Sequence, residues 1–156
     1  MAGLYVHIPF CRQKCHYCNF YSLASEKYRD EIVSALPHEI QIQKDYLKGE
    51  PLKTIYFGGG TPSLIHPVKI QEIIDRAADA LDLHKNPEIT LEANPDDITS
   101  EWLDELGRTS VNRLSIGIQS FHDEELKKLN RIHSAKDALL SVRLARQKGF
   151  GNSSID

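Results

Sequence analysis

The chain has 156 residues and a formal net charge of −3, from 19 Lys and Arg against 22 Asp and Glu; 40% of it is hydrophobic and 26% is charged. These are the proportions of one globular domain with its own core, and no stretch nears the roughly 18 apolar residues that a membrane helix requires. Basic residues are scattered, which excludes the cationic stripe that nucleic-acid phosphates ask for, and Met1-Ala2-Gly3-Leu4-Tyr5-Val6 has no basic region, long apolar core or cleavage site for export. The expectation is a soluble, cytoplasmic protein with no nucleic-acid partner and no indicated membrane association.

In chain order, Leu4-Tyr5-Val6-His7-Ile8 predicts a strand that Pro9 ends. From about Glu26 to Leu47, Tyr28, Ile32, Leu36, Ile40 and Leu47 recur at helical spacing, and Pro37 predicts a kink or a break. Thr54-Ile55-Tyr56-Phe57 predicts a second strand. The next helix runs from about Pro67 to Leu83, with Ile70, Ile73, Ile74, Ala77 and Leu81 on one face. Glu88 to Ala93 forms a third strand, Thr99 caps a short helix that Gly107 stops, and Asn112 to Ile118 forms a fourth strand. After a helical turn near Asp123–Leu129, Ser134 caps a last helix with Ala138, Leu139, Val142 and Ala145 inward and Gly149 at its end. Asn152–Asp156 begin a fifth strand.

Strands and helices in such alternation imply right-handed βαβ units and a parallel sheet, hence the α/β class. A doubly wound nucleotide fold would carry G-x-G-x-x-G or a P-loop after its first strand, whereas that loop holds cysteines here and Gly58-Gly59-Gly60 lacks the Lys-Ser/Thr that follows. A TIM-like barrel of parallel strands, partial or complete, fits better. Its strand ends share one rim. On that rim would lie Cys11, Cys15 and Cys18 after strand one, Gly58-Gly59-Gly60-Thr61 after strand two, Glu92 and Asn94 after strand three, Gln119 after strand four and Asp156 after strand five. Taken singly, the glycines read as a turn, Glu92 as a solvent-facing strand end and Asn94-Pro95 as turn chemistry. Their joint placement is the informative part.

All three cysteines fall within eight residues, spaced C-x3-C-x2-C. An odd number in an unexported chain argues against a disulfide framework. Zinc would need a fourth ligand, for which His7 and His16 are near; buried inert thiols or a redox pair are further readings. An iron–sulfur cluster bound by only three thiolates would keep one iron open as a reaction site.

The run Cys11-Arg12-Gln13-Lys14-Cys15-His16-Tyr17-Cys18 has the C-x3-C-x-aromatic-C form of the radical S-adenosylmethionine (SAM) superfamily. More narrowly, Tyr5-Val6-His7-Ile8-Pro9-Phe10-Cys11, Gly58-Gly59-Gly60-Thr61-Pro62-Ser63, Leu114-Ser115-Ile116-Gly117-Ile118-Gln119-Ser120-Phe121 and Leu129-Asn130-Arg131-Ile132-His133 resemble the oxygen-independent coproporphyrinogen III oxidase-like family. The resemblance implies that Cys11, Cys15 and Cys18 bind a [4Fe–4S] cluster whose open iron takes the amino and carboxylate groups of SAM. It implies Tyr17 near the adenine, Phe20 beside the cofactor, and backbone groups of Gly59, Gly60 and Thr61 at the methionine amino end, where a side chain would block close approach. Arg131 would meet the SAM carboxylate, and Glu92, Gln119 and Asp156 other polar atoms of the cofactor, the ribose hydroxyls first. The chemistry implied is reductive cleavage of SAM to methionine and a 5′-deoxyadenosyl radical, with an electron donor such as a flavodoxin or ferredoxin.

Two branches share this pattern. The true oxidases carry a fourth cysteine two residues after the third and an N-terminal extension; here that position is Phe20 and the cluster loop starts by residue 11. Both departures resemble the heme chaperone branch, with heme or porphyrin as partner. Members of the family have a six-unit partial barrel and a C-terminal domain that contacts heme, so residues 1–156 are expected to be the N-terminal part of that barrel, about four and a half β/α units. A non-enzymatic zinc or iron–sulfur module is the alternative from a different functional class.

Overall fold

Alternation along each strand decides which face of the sheet is covered. In the computed structural model, which describes residues 2–156, five strands form one sheet: β1 (Ala2–Ile8), β2 (Leu52–Gly59), β3 (Leu83–Ala93), β4 (Arg113–Ile116) and β5 (Ser153–Ile155). Each pairs in parallel with its successor, in the order β1-β2-β3-β4-β5. Val6, Ile8, Ile55, Phe57, Ile89, Leu91, Leu114 and Ile116 occupy one face and are buried in the core. Each such side chain contributes about 1.5–3 kcal/mol by leaving water. The other face carries Tyr5, His7, Tyr56, Thr90, Glu92, Arg113, Ser115 and Ser154, matched across the sheet as Tyr5↔Tyr56, Tyr56↔Thr90, Thr90↔Arg113, Glu92↔Ser115 and Ser115↔Ser154. The sheet is thus apolar behind and polar in front.

Helices α1 (Arg29–Ile42), α2 (Pro67–Ala80), α3 (Ser100–Leu106), α4 (Asp123–Lys128) and α5 (Ala135–Gln147) fill the connections, with short 3-10 turns at Pro62–Leu64 and Pro95–Asp97. The predicted caps are present. Thr99 accepts from the Trp102 amide at 3.1 Å, and Ser134 forms a capping box with Asp137. On α2, Ile70, Ile73, Ile74 and Ala77 are buried as the spacing predicts. Among the described residues no helix is long and apolar enough to cross a membrane.

Several boundaries differ from the sequence reading. Helix α1 starts at Arg29 rather than near Glu26, because Tyr28 adopts a left-handed conformation (φ 68°) and is exposed. It runs unbroken through Pro37, since Val33 and Ile40 on either side are both buried and hold the helix across the missing bond. It ends at Ile42, which leaves Leu47 in the turn that follows. Strand β3 starts at Leu83, five residues early, and accommodates Pro87 by giving its carbonyl to the Asn112 side chain. Strand β4 is shorter than expected because Gln119 turns the backbone into the left-handed region (φ 68°). On α5 the inward residues are Ala138, Ser141 and Ala145; Leu139, expected inside, is half exposed. Ser141 is tolerated there because its hydroxyl donates to the Ala138 carbonyl at 2.8 Å.

Candidate cofactor site

Strand β1 delivers its chain directly into the cysteine loop, and two bridges tie that loop to its neighbours. The Cys11 amide donates to the Leu23 carbonyl at 3.0 Å, and the Leu23 amide to the Pro9 carbonyl at 2.8 Å. Cys11, Cys15 and Cys18 are free and partly exposed, and all three line one cleft at the C-terminal edge of the sheet. The same cleft is lined by Tyr17, Phe20, Gly59, Gly60, Thr61, Glu92, Gln119, Arg131 and Asp156. Every residue predicted for the site therefore lines one cleft, from the C-terminal ends of the strands and the loops that follow them.

The amides of the glycine loop are tied to the first strand, the segment that leaves it, and Glu92. The Gly60 amide donates to the Ile8 carbonyl at 2.8 Å, the Thr61 amide to the Phe10 carbonyl at 2.7 Å, and the Gly59 amide to Glu92 Oε2 at 3.2 Å. With these amides engaged, any backbone contact from the three residues to a ligand falls to their carbonyls, which accept from a cation. The need for glycine also differs from expectation. A Cβ on Gly60 would lie 2.6 Å from the Phe10 carbonyl oxygen, and one on Gly59 (φ 113°) 2.6 Å from the His7 ring. The chain itself, rather than an incoming ligand, excludes side chains there.

Glu92 faces the polar front of the sheet. Its Oε1 accepts from the Tyr56 hydroxyl at 2.7 Å. Burial, then that hydrogen bond, pushes the Tyr56 phenol up to about 12, and burial followed by the Glu92 charge raises Tyr5. Both phenols stay protonated donors at neutral pH. Tyr17 is likewise pushed up to about 12, by burial first and then by the neighbouring Cys15.

Arg131 follows Asn130, whose left-handed backbone (φ 60°) ends the α4 segment. Its Nη1 donates to Cys15 Sγ at 3.3 Å, and its Nη2 to Asn94 Oδ1 at 2.8 Å and to the Gly117 carbonyl at 2.6 Å. Its Nε is buried without a partner. A guanidinium so placed brings a fixed positive charge to the Cys15 sulfur and still has donor capacity to spare. Nearby, His133 is buried, with Nε2 on the Ile118 carbonyl at 3.0 Å and Nδ1 unpartnered, 3.9 Å from Asp96 Oδ1. Burial pushes its pKa below the ordinary value.

Sequence reasoning missed several lining and supporting groups. Asn94, placed on the rim but given only a turn role, bonds both Arg131 and Thr61 Oγ1 (3.2 Å). Tyr5 and Tyr56 stack with ring centroids 6.1 Å apart beside Glu92. Their position on the strand face opposite the apolar one was the available signal. Arg12 ion-pairs with Asp96 and Asp97, a partnership between residues far apart in the chain that no local pattern announces.

The donor set fits a cluster better than a single ion. Three thiols in one cleft beside a guanidinium would give one ligand to each of three irons of a four-iron cluster and would leave the fourth iron without a protein ligand. Among the described residues no three His, Cys, Asp or Glu side chains are drawn together into a metal-ion site.

Comparison with known proteins agrees in sequence and in fold. The sequence profile described as "Radical SAM superfamily" matches residues 5–156. The heme chaperone HemW of Escherichia coli is 40% identical over 156 residues, covering 99% of this chain and 41% of that protein. HemW of Bacillus subtilis is 41% identical over 160 residues, covering 100% and 42%. The structure of Escherichia coli coproporphyrinogen III oxidase (HemN), described as a radical SAM enzyme, superimposes with a TM-score of 0.87 at 29% identity, covering 99% of this chain and 36% of that one. The chain thus spans about two fifths of the length of these relatives.

Proposed function

The chain belongs to the radical SAM superfamily, and on that footing we propose that it holds a [4Fe–4S] cluster on Cys11, Cys15 and Cys18, binds SAM in the adjoining cleft, and serves a heme chaperone. One observation carries the proposal: the only three thiols in the chain line one cleft with Arg131, whose Nη1 meets Cys15. The group, when bound, supplies one-electron reduction of SAM.

The chain's own residues then bind and orient. Arg131 presents a planar fork suited to a carboxylate, and its unpartnered Nε marks unused donor capacity. The carbonyls of Gly59, Gly60 and Thr61 accept from the SAM amino group. Glu92, with two of its lone pairs engaged by Tyr56 and Gly59, retains others for ribose hydroxyls, alongside Gln119 and Asp156. Tyr17 and Phe20 cover the adenine side and limit water at the reacting atoms.

The heme chaperone reading is favoured over oxidative decarboxylation of coproporphyrinogen III by the higher identity to HemW proteins and by Phe20, exposed at the rim, in place of a fourth cysteine. Residues 1–156 are assigned to the N-terminal part of a partial barrel; heme contact belongs to the portion of such proteins that this chain does not span. A reducing cytoplasm, with a flavodoxin or ferredoxin as electron donor, suits an oxygen-labile cluster.

Anaerobic reconstitution with iron and sulfide, followed by SAM and dithionite, tests the proposal through visible absorption and 5′-deoxyadenosine, with Cys15→Ala as the control. Coloured protein that yields 5′-deoxyadenosine, both lost in Cys15→Ala, is the expected result. Colourless protein that takes up about one zinc per chain would overturn it in favour of a metal-binding module.

A further inference from the structure

Of the five residues between the cysteines, Arg12, Gln13, Lys14 and His16 are held by other parts of the chain. Arg12 pairs with Asp96 at 3.2 Å and with Asp97. Asp97 is nearly inaccessible, with 3% of its side chain exposed, and also accepts from Ser63 Oγ at 2.6 Å. Gln13 Nε2 donates to the Asn130 carbonyl at 3.0 Å and to its Oδ1 at 2.7 Å. Asn130 Nδ2 donates in turn to the Lys14 carbonyl at 2.8 Å, and Lys14 Nζ reaches the Ser22 carbonyl at 3.4 Å. The His16 amide donates to the Leu129 carbonyl at 3.2 Å, while its Nδ1 lies 2.9 Å from the Lys128 carbonyl.

These contacts involve no cysteine sulfur. They form two braces, one on the 3-10 turn at Pro95–Asp97 and one on the turn at Lys128–Asn130. The second depends on the left-handed backbone of Asn130, which asparagine tolerates better than most residues. The adjoining Arg131 meets Cys15, so the turn that braces the loop also supplies a cation to a thiol.

We propose that Asp97, through Arg12, and Asn130 are positioning residues that hold the cysteine loop in its observed shape before any metal arrives. The loop's ordering cost then falls on folding of the chain rather than on metal capture. This rests on the cluster reading given above. Asp97 is assigned its role by burial: with its side chain enclosed and fixed by Ser63, the carboxylate is a rigid anchor for Arg12. Asn130 is assigned its role by number, since its side chain and carbonyl satisfy both Gln13 and Lys14.

The test uses the full-length protein in its cluster-free form. Amide hydrogen exchange of residues 11–18 is compared among wild type, Asn130→Gly, Asn130→Asp and Asp97→Asn. Asn130→Gly keeps the left-handed backbone and removes the side-chain contacts; Asn130→Asp restores the acceptor for Gln13. Protection at Cys11 and His16 is expected in wild type. Exchange about five to ten times faster is expected in Asn130→Gly and Asp97→Asn, the factor that one ordinary hydrogen bond represents, with partial recovery in Asn130→Asp. Exchange elsewhere in the sheet should not change. Anaerobic assembly from ferrous iron and sulfide should slow by a similar factor.

Free-peptide exchange across residues 11–18 in wild type overturns the proposal. So does unchanged assembly in variants whose loop exchanges faster. Wild type that takes up no iron and sulfide overturns the cluster reading itself, an outcome distinct from a wild type that loads normally and does not depend on the braces.

Discussion

Replacing Gly60 with alanine should destabilise the chain far more than the same change at Gly117, although both glycines line one cleft. At Gly60 the added Cβ would meet the Phe10 carbonyl oxygen at 2.6 Å, the Phe10 nitrogen at 2.8 Å and the Ile8 carbonyl oxygen at 2.9 Å, all main-chain atoms of the segment leaving β1. Overpacking against groups that cannot rotate away costs about 1–3 kcal/mol. The shift would also lengthen the Gly60–Ile8 and Thr61–Phe10 hydrogen bonds, now 2.8 and 2.7 Å, at about 1 kcal/mol each. Lower entropy of the unfolded chain returns about 0.4–1 kcal/mol. The net loss is about 2–5 kcal/mol, which at a urea slope of about 2 kcal/mol per molar lowers the midpoint by about 1–2.5 M. At Gly117 the nearest atoms are Arg131 Nη2 and Asn94 Oδ1, both at 3.5 Å, an ordinary contact distance. Its midpoint should stay within about 0.5 M of wild type. Urea unfolding of the cluster-free protein, followed by far-UV circular dichroism, measures both. Equal midpoints for Gly60→Ala and wild type would refute the view that the glycine loop is dictated by its approach to β1.

Arg131→Lys keeps the charge but loses the fork that reaches Cys15, Asn94 and Gly117 together; SAM binding by calorimetry on loaded protein should weaken about tenfold or more, while iron content holds. His133 gives a pH dependence whose sign is fixed by its lowered pKa: its contribution is present in full above the ordinary value of 6.5 and is lost as the pH falls from there through the folded value. Urea midpoints should therefore fall between pH 7 and pH 5 in wild type, and fall less in His133→Asn. Ser134→Ala removes the capping box of α5 and should cost about 1 kcal/mol by the same unfolding assay, with cluster content unchanged.

The sequence disclosed what local spacing encodes. Three thiols in eight residues and a Ser134 cap are short-range patterns that the structure has in place, while the glycine triplet expected after the second strand starts inside it, Gly58 and Gly59 being the last residues of β2. Rim placement followed from alternation of strand and helix, because parallel strands send every C-terminal loop to one edge. Long-range partnerships were not legible. Arg12 and Asp97 look like surface charges until Asp97 is found enclosed beside Ser63, and Asn130 looks like an ordinary turn residue until its left-handed backbone turns it toward Gln13. On α5 the apolar count pointed to Leu139, but helix orientation against the sheet selected Ser141, and orientation is a property of the packed whole. The reason for glycine at position 60 escaped similarly, since the obstructing atoms belong to the end of β1 and the segment that leaves it.

The sheet's strictly sequential strand order has a consequence in time. Because the cysteine loop follows the first strand while Asn130 and Arg131 follow the fourth, a ribosome releases the thiols more than a hundred residues before the groups that steady them. At about 5–20 residues per second the interval is on the order of ten seconds, during which the thiols are on a nascent chain without the Asn130 brace or the guanidinium, and for most of it without Asp96 and Asp97 as well. On the cluster reading proposed above, metal delivery would follow synthesis of the fourth β/α unit, and the young chain would depend in that interval on the reducing power of its surroundings to keep the sulfurs available.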